Sequence, residues 1–362
     1  MSRARELADL SNVINKGANL QPNLIINSDM AVAQRATSAS SVSTGYNTVD
    51  RFAIIESNSN ATWDETQSTT VPSGQGFAKS WKLSVSSGGS PAANERTIVR
   101  QRIEGQNLQV LKKGTASASF LTLSFWVRSS TTGTYICELR DNDNSRAISK
   151  SYTIATADTW QKVTLSFAGD TSGALDNDND ASLDVWWWLD AGSNYNSGTL
   201  QTSWGRRVDA NSAVGQTALG ATTNNDWYMT GVSLVVGDSA PVTHPYESYA
   251  ENLKRCQRYF ETNYDQGVAL GTVIGNAQQY GIAYRATSGS TNYYSVPLKV
   301  IKRSAPAVTI YNGVTGATGT WRGSSSADRS ISTGTNVAFI NILGPSNNDF
   351  IRSGFYAADA EL

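Results

Sequence analysis

Four segments of this chain alternate between apolar and polar residues with a period of two. The apolar residues of each segment fall on one face of an extended strand: Leu121, Leu123, Phe125 and Val127; Val163, Leu165 and Phe167; Leu183, Val185, Trp187 and Leu189; Val232, Leu234 and Val236. Such alternation is typical of antiparallel strands with one buried face. The stretches 128–133, 140–145 and 167–180 between them are rich in turn-forming residues. The sequence therefore predicts an all-β fold.

The composition agrees with many short strands joined by tight turns. Of the 362 residues, 39% are hydrophobic, only 16% are charged and 30 are glycines, which adopt positive φ without strain. The net charge of −1 provides no field that would attract nucleic acid. No stretch approaches the roughly 18 consecutive apolar residues of a membrane span. We therefore expect neither nucleic-acid binding nor membrane insertion.

The cysteines and the N-terminus indicate in which cellular compartment the protein is made. Cys137 and Cys256 lie far apart in the sequence, which indicates neither a disulfide framework nor a zinc site. Both thiols are interpreted as small core residues. Residues 1–12 are charged and lack the apolar run of a secretory signal, so we expect synthesis in a cytoplasm.

A helical pattern is confined to the start of the chain and to one later segment. Residues 1–22 are predicted to form a short helix, because Leu7, Leu10 and Ile14 recur at helical spacing. A helix this short needs a partner. It is interpreted either as packed on its own domain, or as a docking segment or small trimeric bundle in which these three side chains make the contacts.

The later pattern divides the remaining chain into three regions. Residues 23–244 contain the first run of strands and are predicted to form a β-sandwich, and residues 263–362 a smaller C-terminal β-sandwich. Between them, 245–262 is predicted to be a helical connector that Pro245 begins. Its inward stripe would contain Leu253, Cys256, Gln257 and Phe260.

Two motifs stand near the start of the first strand region. They contain Asn23, Leu24, Asn27, Asp29, Met30, Gln34, Arg35, Tyr46, Asp50, Arg51 and Phe52. These segments resemble a family of bacteriophage tail-fibre and other virion surface proteins, which opens with the pattern N-L-hydrophobic-N-G-D-M…A-Q-R, followed by G-Y…D-R-W/F; Ser28 replaces the usual Gly. Further similar segments lie at 123–135, 152–173, 226–240, 245–261 and 354–362.

The resemblance implies a fold, a location and partners. The first module is expected to be a jelly-roll-like sandwich similar to carbohydrate-binding modules, and the strand count agrees with this. The protein is expected on the virion surface, on the tail or the capsid exterior, after synthesis in the host cytoplasm. Its expected partners are its own copies in a homotrimer, other virion proteins and host cell-surface glycan.

Two tryptophans form the most conspicuous candidate site. In a strand over 183–190, Trp186 and Trp188 share a face with Asp184 and Asp190. Indole rings flanked by carboxylates are suited to stacking on sugars and accepting from their hydroxyls. The alternative interpretation is burial of both faces, under a loop or the second domain. Trp81, Trp126 and Trp160 are interpreted as core, whereas Trp204, Trp227 and Trp321 are not assigned.

The acidic run 176–180 is a candidate calcium site. Asp176, Asp178 and Asp180 alternate as clustered oxygen ligands would. The run starts like an EF-hand loop and then departs from it, with Ala181 at the glycine position and Trp187 at the glutamate position. It is therefore interpreted either as a structural calcium site or as a solvated loop. No other cofactor is predicted.

The sequence offers little for catalysis. His244 is the single histidine and lies in the connector region, without a nucleophile motif such as G-x-S-x-G. A glycosidase needs only two carboxylates, and the scattered candidates are Glu56, Glu65, Glu95, Glu104 and Glu138. We therefore predict a non-enzymatic protein and keep a polysaccharide hydrolase as the third alternative. The first is a receptor-binding tail-fibre component, and the second is a capsid-decorating protein.

Overall fold

The computed structural model describes residues 22–241, 244–274, 284–288, 291–323, 326–345 and 351–362. The predicted all-β fold is confirmed, with twenty-one strands and two short helices among these residues. The predicted N-terminal helix, with Leu7, Leu10 and Ile14, lies outside them. No helix within the described ranges is both long and apolar enough to cross a membrane.

The first sandwich consists of two six-stranded antiparallel sheets. In spatial order, the first sheet contains β1 (Ser38–Val42), β3 (Thr62–Ser68), β4 (Ser80–Ser87), β12 (Asp226–Val236), β6 (Leu121–Ser129) and β9 (Gln161–Phe167). The second sheet contains β11 (Gly205–Arg206), β8 (Arg146–Ile154), β7 (Gly133–Asp141), β10 (Ala181–Ala191), β5 (Arg96–Glu104) and β2 (Ala53–Ser57). Neighbours in space are mostly distant in sequence, as in a jelly roll.

The alternating residues of the sequence form the core between these two sheets. Phe125 of the first sheet meets Trp187 of the second edge-to-face, with ring centroids 5.9 Å apart. Burial of such large aromatic side chains is the main favourable term in folding. Three turns or connections also carry short 3₁₀ helices, at Gly105–Asn107 with Gln109–Leu111, at Asp209–Asn211 and at Leu219–Ala221.

The C-terminal part contains two smaller sheets around a second core. One sheet contains β13 (Phe260–Thr262), β21 (Ile351–Asp359), β17 (Thr320–Gly323) and β18 (Asp328–Ser330), with β16 (Ala307–Asn312) also paired to β21. The other contains β14 (Tyr284–Ser288), β15 (Thr291–Pro297), β20 (Phe339–Pro345) and β19 (Ser332–Thr335). Tyr294 and Trp321 meet between them with centroids 5.3 Å apart.

A helix over Tyr249–Gln257, named here the junction helix, links the two parts. It begins after Ser248, whose side chain accepts a hydrogen bond from the Glu251 amide, and not at Pro245 as predicted. Cys256 lies in a small buried cluster with Ile26, Val32 and Tyr259. Phe260, predicted on the helical stripe, instead starts β13 and pairs with Asp359. The prediction failed because strand pairing took over directly after the helix.

The segments that resemble the virion protein family meet at this junction. Gln34 donates to the Phe260 carbonyl oxygen at 2.8 Å. The Arg35 guanidinium lies 3.6 Å from the centre of the Phe260 ring and 3.1 Å from the Asp359 carboxylate. Arg51, with a left-handed φ of 71°, is also directed to this interface. The opening motif therefore fixes the first sandwich against the C-terminal part.

Candidate functional site

The predicted platform at Trp186 and Trp188 is buried. Their exposed fractions are 5% and 0%, and Tyr195 from the 193–216 segment packs 5.6 Å from the Trp188 ring. Trp186 Nε1 donates to Asp184 at 3.1 Å, and Trp188 Nε1 donates to Glu138 at 2.9 Å. The loop interpretation is therefore the one that the structure shows, and the two indoles offer no open stacking surface.

Asp190 does not share the face of these tryptophans. A β-bulge lies between Trp188 and Asp190, where the register against β5 shifts, and this breaks the alternation that the sequence suggested. Asp190 is fully buried and accepts from the Gly220 amide at 3.0 Å. Burial raises the pKa of Asp190 to about 7. It is a structural acceptor and is not accessible to a sugar.

The acidic run does not converge on a common point. Asp176, Asp178 and Asp180 are exposed. Asp178 accepts from the Asp180 amide at 3.0 Å, and Asp180 pairs with Arg303 at 3.2 Å. Among the residues that the structure describes, no three acidic, histidine or cysteine side chains lie close enough to share a metal ion. The run serves here as a loop that contacts the C-terminal part.

His244 has a serine neighbour that the sequence did not reveal. Its Nε2 lies 3.0 Å from Ser28 Oγ, and its ring packs edge-on against Phe77 at 5.2 Å. Burial, and then the charge of Lys162, lower its pKa to about 4, so the ring is neutral at pH 7. Ser28 is itself 6% exposed. His244 is half-buried and lines an open pocket of about 260 Å³ with Phe77, Trp126 and Lys162, whereas the buried Ser28 does not line it.

The scattered glutamates are mostly held by local donors. Glu65 accepts from Thr48 at 2.7 Å, and Glu95 accepts from the Asn60 amide at 2.9 Å. Glu104 accepts a paired contact from Arg258, with both distances 2.8 Å. Burial, with the charges of Glu65 and Glu95, raises the pKa of Glu56 to about 7. Glu65, Glu95 and Glu104 therefore have local donors, whereas Glu56 Oε1 is enclosed without a hydrogen-bond donor.

An open groove beside Trp204 is a candidate for binding. It has a volume of about 350 Å³ and lies between β8, the turn 168–172 and the segment 202–204. The Trp204 indole is half-buried and packs against the main core. On its other side it lines a void of only about 10 Å³ with Leu111, Leu121 and Leu183. One part of the ring is therefore supported by apolar packing while another faces the groove.

Several hydrogen bonds fix this indole in place. Trp204 Nε1 donates to the Ala168 carbonyl oxygen at 2.7 Å. Gln201 donates to the carbonyl oxygens of Ala147 at 2.8 Å and Gly205 at 3.0 Å, which ties the loop to β8. Lys113 lies 5.6 Å from the indole centre. The ring is thus positioned before any ligand arrives, which lowers the entropic cost of binding.

The groove walls supply polar groups for orientation. Arg146 makes a two-pronged contact with Asp170, at 2.7 and 2.9 Å, and Lys113 is 3.1 Å from the same carboxylate. Burial raises the pKa of Asp170, but the hydrogen bonds from Arg146, Ser172 and Lys113 outweigh it and lower that pKa overall. The walls also contain hydroxyl groups, those of Thr171, Ser172, Thr202 and Ser203.

The sequence contains a signal for this groove. Trp204 stands in the polar stretch 199–205, which has no apolar alternation to place it in a strand core. Of the unassigned tryptophans, Trp227 and Trp321 are buried. Trp126 and Trp160, predicted as core, are half-buried. The isolated Trp204, which follows Thr202 and Ser203, thus lines an open groove, whereas the triple tryptophan is buried.

Comparisons with known proteins give structural matches only. No protein-family model and no curated protein matches the chain. A tailspike protein 4 enzymatically active domain of Bacteriophage CBA120 matches at 14% identity and TM-score 0.32, covering 59% of this chain and 21% of that one. The chain thus spans about a fifth of that tailspike structure.

Carbohydrate-binding modules are also among the matches. The module TmCBM61, solved with β-1,4-galactotriose, matches at 8% identity and TM-score 0.31, over 59% of this chain and 99% of that one. A family 11 carbohydrate-binding module from a cellulase of Clostridium thermocellum matches at 10% identity and TM-score 0.28, over 56% and 97%. The sandwich fold itself is defined by the strand order given above.

Proposed function

We propose that this protein is a non-enzymatic bacteriophage virion surface protein that binds host cell-surface glycan as a tail-fibre or receptor-binding component. The observation that carries the proposal is the Trp204 groove. Aromatic rings with accessible area stack on the apolar faces of sugars, and surrounding hydroxyl groups and charges orient them. The virion assignment is supported by the motifs at 23–52 and 245–261, which resemble those of virion surface proteins.

The proposal that the protein is not an enzyme is supported by the surroundings of the candidate catalytic side chains. Ser28, the serine placed beside His244, is buried, and Glu65, Glu95 and Glu104 have local donors. A glycosidase requires two carboxylates flanking an accessible sugar. Incubating the protein with host polysaccharide and measuring new reducing ends tests this part, and sustained release would contradict it.

We also propose a homotrimer, which raises avidity when single sites are weak. Ile301, Val337 and Phe339 of the C-terminal part are exposed to 65%, 39% and 41%. They are neighbours, because the Lys302 amide donates to the Val337 carbonyl oxygen at 2.8 Å. Exposed apolar groups of this kind are suited to burial between copies of the chain.

The deciding experiment is antibody-gold electron microscopy of intact virions, together with an adsorption assay using purified protein. Label at the tail and blocked adsorption are expected for a receptor-binding fibre. Label on the head without blocking would overturn this proposal and favour the capsid-decorating alternative. A Trp204→Ala protein serves as the matched control, because it should keep its place in the virion and lose the block.

A further inference from the structure

A row of arginines lies along β5, on the outer face of the second sheet. Arg100 and Arg102 stand opposite Trp186 and Asp184 in the register of β5 and β10. Arg96, at the start of the same strand, has its guanidinium carbon 5.6 Å from the Trp186 ring. Two residues of a strand advance by about 7 Å, so the row extends along the sheet rather than gathering at one point.

The row has too few acceptors for its donors. Each guanidinium has five N–H groups, and Arg100 and Arg102 share one nearby carboxylate, Asp184, at 3.7 and 3.5 Å. That carboxylate already accepts from Trp186 at 3.1 Å and from Asn142 at 2.8 Å. Its capacity is therefore largely used by neutral donors before the arginines are counted.

The same shortage appears at individual atoms. The Nε atoms of Arg96 and Arg100 are enclosed and have no hydrogen-bond acceptor, and Arg102 Nε has only the long contact of 3.5 Å to Asp184. A buried donor without an acceptor is unfavourable. Burial lowers the pKa of Arg100, and the adjacent charge of Arg102 lowers it further. An anion bound beside Arg100 and Arg102 would reduce the repulsion between them.

The side chains can be reached from solvent. The exposed fraction of the side chain is 15% for Arg100 and 28% for Arg102. Arg140 lies flat on the nearby Trp186 ring, 3.5 Å from its centre, but it is occupied by Glu138 at 3.1 Å. The open cationic groups are thus those of β5, and an aromatic edge lies beside them.

We infer that the β5 arginine row is a second binding site, which takes the carboxylate groups of an acidic glycan. Planar guanidinium groups bind carboxylates through two parallel hydrogen bonds. Successive acidic sugars of an oligosaccharide would place their carboxylates along a line, and the arginines of β5 are also arranged along a line. The site is on the outer face of the second sheet and does not depend on the Trp204 groove.

Calorimetric titration of the full chain tests this inference. The probes are short oligosaccharides of galacturonic, glucuronic and sialic acid, their neutral methyl esters, and inorganic phosphate. We expect at least one acidic oligosaccharide to bind, at least tenfold more tightly than its ester, with affinity that falls as salt is raised. Equal affinity for acid and ester, or no binding across the acidic panel, would overturn the inference. So would binding of inorganic phosphate alone.

Two variants localise the site. Arg100→Gln combined with Arg102→Gln should weaken acidic binding at least tenfold, whereas Arg100→Lys should keep part of the salt dependence and lose preference for the carboxylate. Arg128→Gln, which removes a cation from the first sheet, is the control. Unchanged binding in the double variant would refute the location. Trp204→Ala should leave acidic binding intact, so the two sites fail separately.

Discussion

Arg51 lies between the carboxylate of Glu361 and the ring of Tyr259, and thereby joins the first sandwich to the C-terminal part. Its guanidinium carbon is 3.4 Å from the centre of the Tyr259 ring, and it forms an ion pair with Glu361. The Arg51 side chain is fully buried. Because the cation has no access to water, it depends on these two partners and on the Arg102 carbonyl oxygen, to which it donates at 2.8 Å.

Glu361→Ala should therefore be strongly destabilising. Removing one partner of a buried ion pair leaves an uncompensated charge, which costs about 3–5 kcal/mol. Urea denaturation measures the loss. Asp158→Ala is the control, because Asp158 pairs with Arg128 at an exposed site, where about 0–1 kcal/mol is expected. Similar small effects for both variants would show that Arg51 finds another acceptor.

Trp188→Ala should damage the fold rather than a binding surface. The side chain is fully buried, and truncating a buried tryptophan costs about 3–5 kcal/mol. The change would also leave Glu138 without the donor at 2.9 Å. A lowered thermal midpoint is the expected readout. An unchanged midpoint with lost glycan binding would instead restore the open platform predicted from the sequence.

Trp204→Ala, in contrast, should reduce glycan binding and leave the fold intact. Because this ring is half-buried at a groove, its loss should remove most binding of neutral glycans on an array while the protein keeps its circular dichroism spectrum. Trp204→Phe should retain partial binding, since a smaller aromatic ring still stacks. Wild-type binding by the alanine variant would exclude the groove as the glycan site.

Asp190→Asn should stabilise the protein at alkaline pH and change little at pH 4. The folded-state pKa of about 7 exceeds the ordinary value near 3.9. Between these values the folded state binds more protons than the unfolded state, so stability falls as pH rises. The asparagine keeps a carbonyl acceptor for Gly220 and never ionises. Thermal midpoints at pH 4 and pH 8 measure the difference, and an equal effect at both would contradict the raised pKa.

Phe339→Glu combined with Ile301→Glu should convert the proposed trimer to monomers. Both side chains are exposed in the single chain, so the changes should cost assembly rather than folding. Light scattering gives the molar mass of each protein. Phe120→Glu is the control, because Phe120 is also exposed, to 45%, but lies in the first sandwich. A wild-type monomer at micromolar concentration would remove the trimer proposal altogether.

Periodicity predicted the strands well and their surroundings poorly. Leu123, Phe125, Val185 and Trp187 lie in the core as their alternation indicated. Trp186 and Trp188 lie on the opposite face of the same strand, as the alternation also indicated. That face is covered by a segment that is distant in sequence, 193–216. A period of two carries no information about such a cover.

Local irregularities limited the site predictions in the same way. Asp190 changed sides because of a bulge, and pattern counting assumes that no extra residue is inserted. The β5 arginines were visible as charges in the sequence. Their shortage of acceptors became apparent only when β10 was placed beside them, since it depends on which carboxylates and donors the register brings together.

The position of Arg51 also affects how such proteins exchange parts. A recombinant that keeps the first sandwich and acquires a foreign C-terminal part would inherit a buried cation without its carboxylate. Only donors with an acidic side chain in the place of Glu361 would be compatible. The two parts are thus compatible only when both members of this ion pair are present, and chimaeras of this protein should be cut so that both residues come from the same parent.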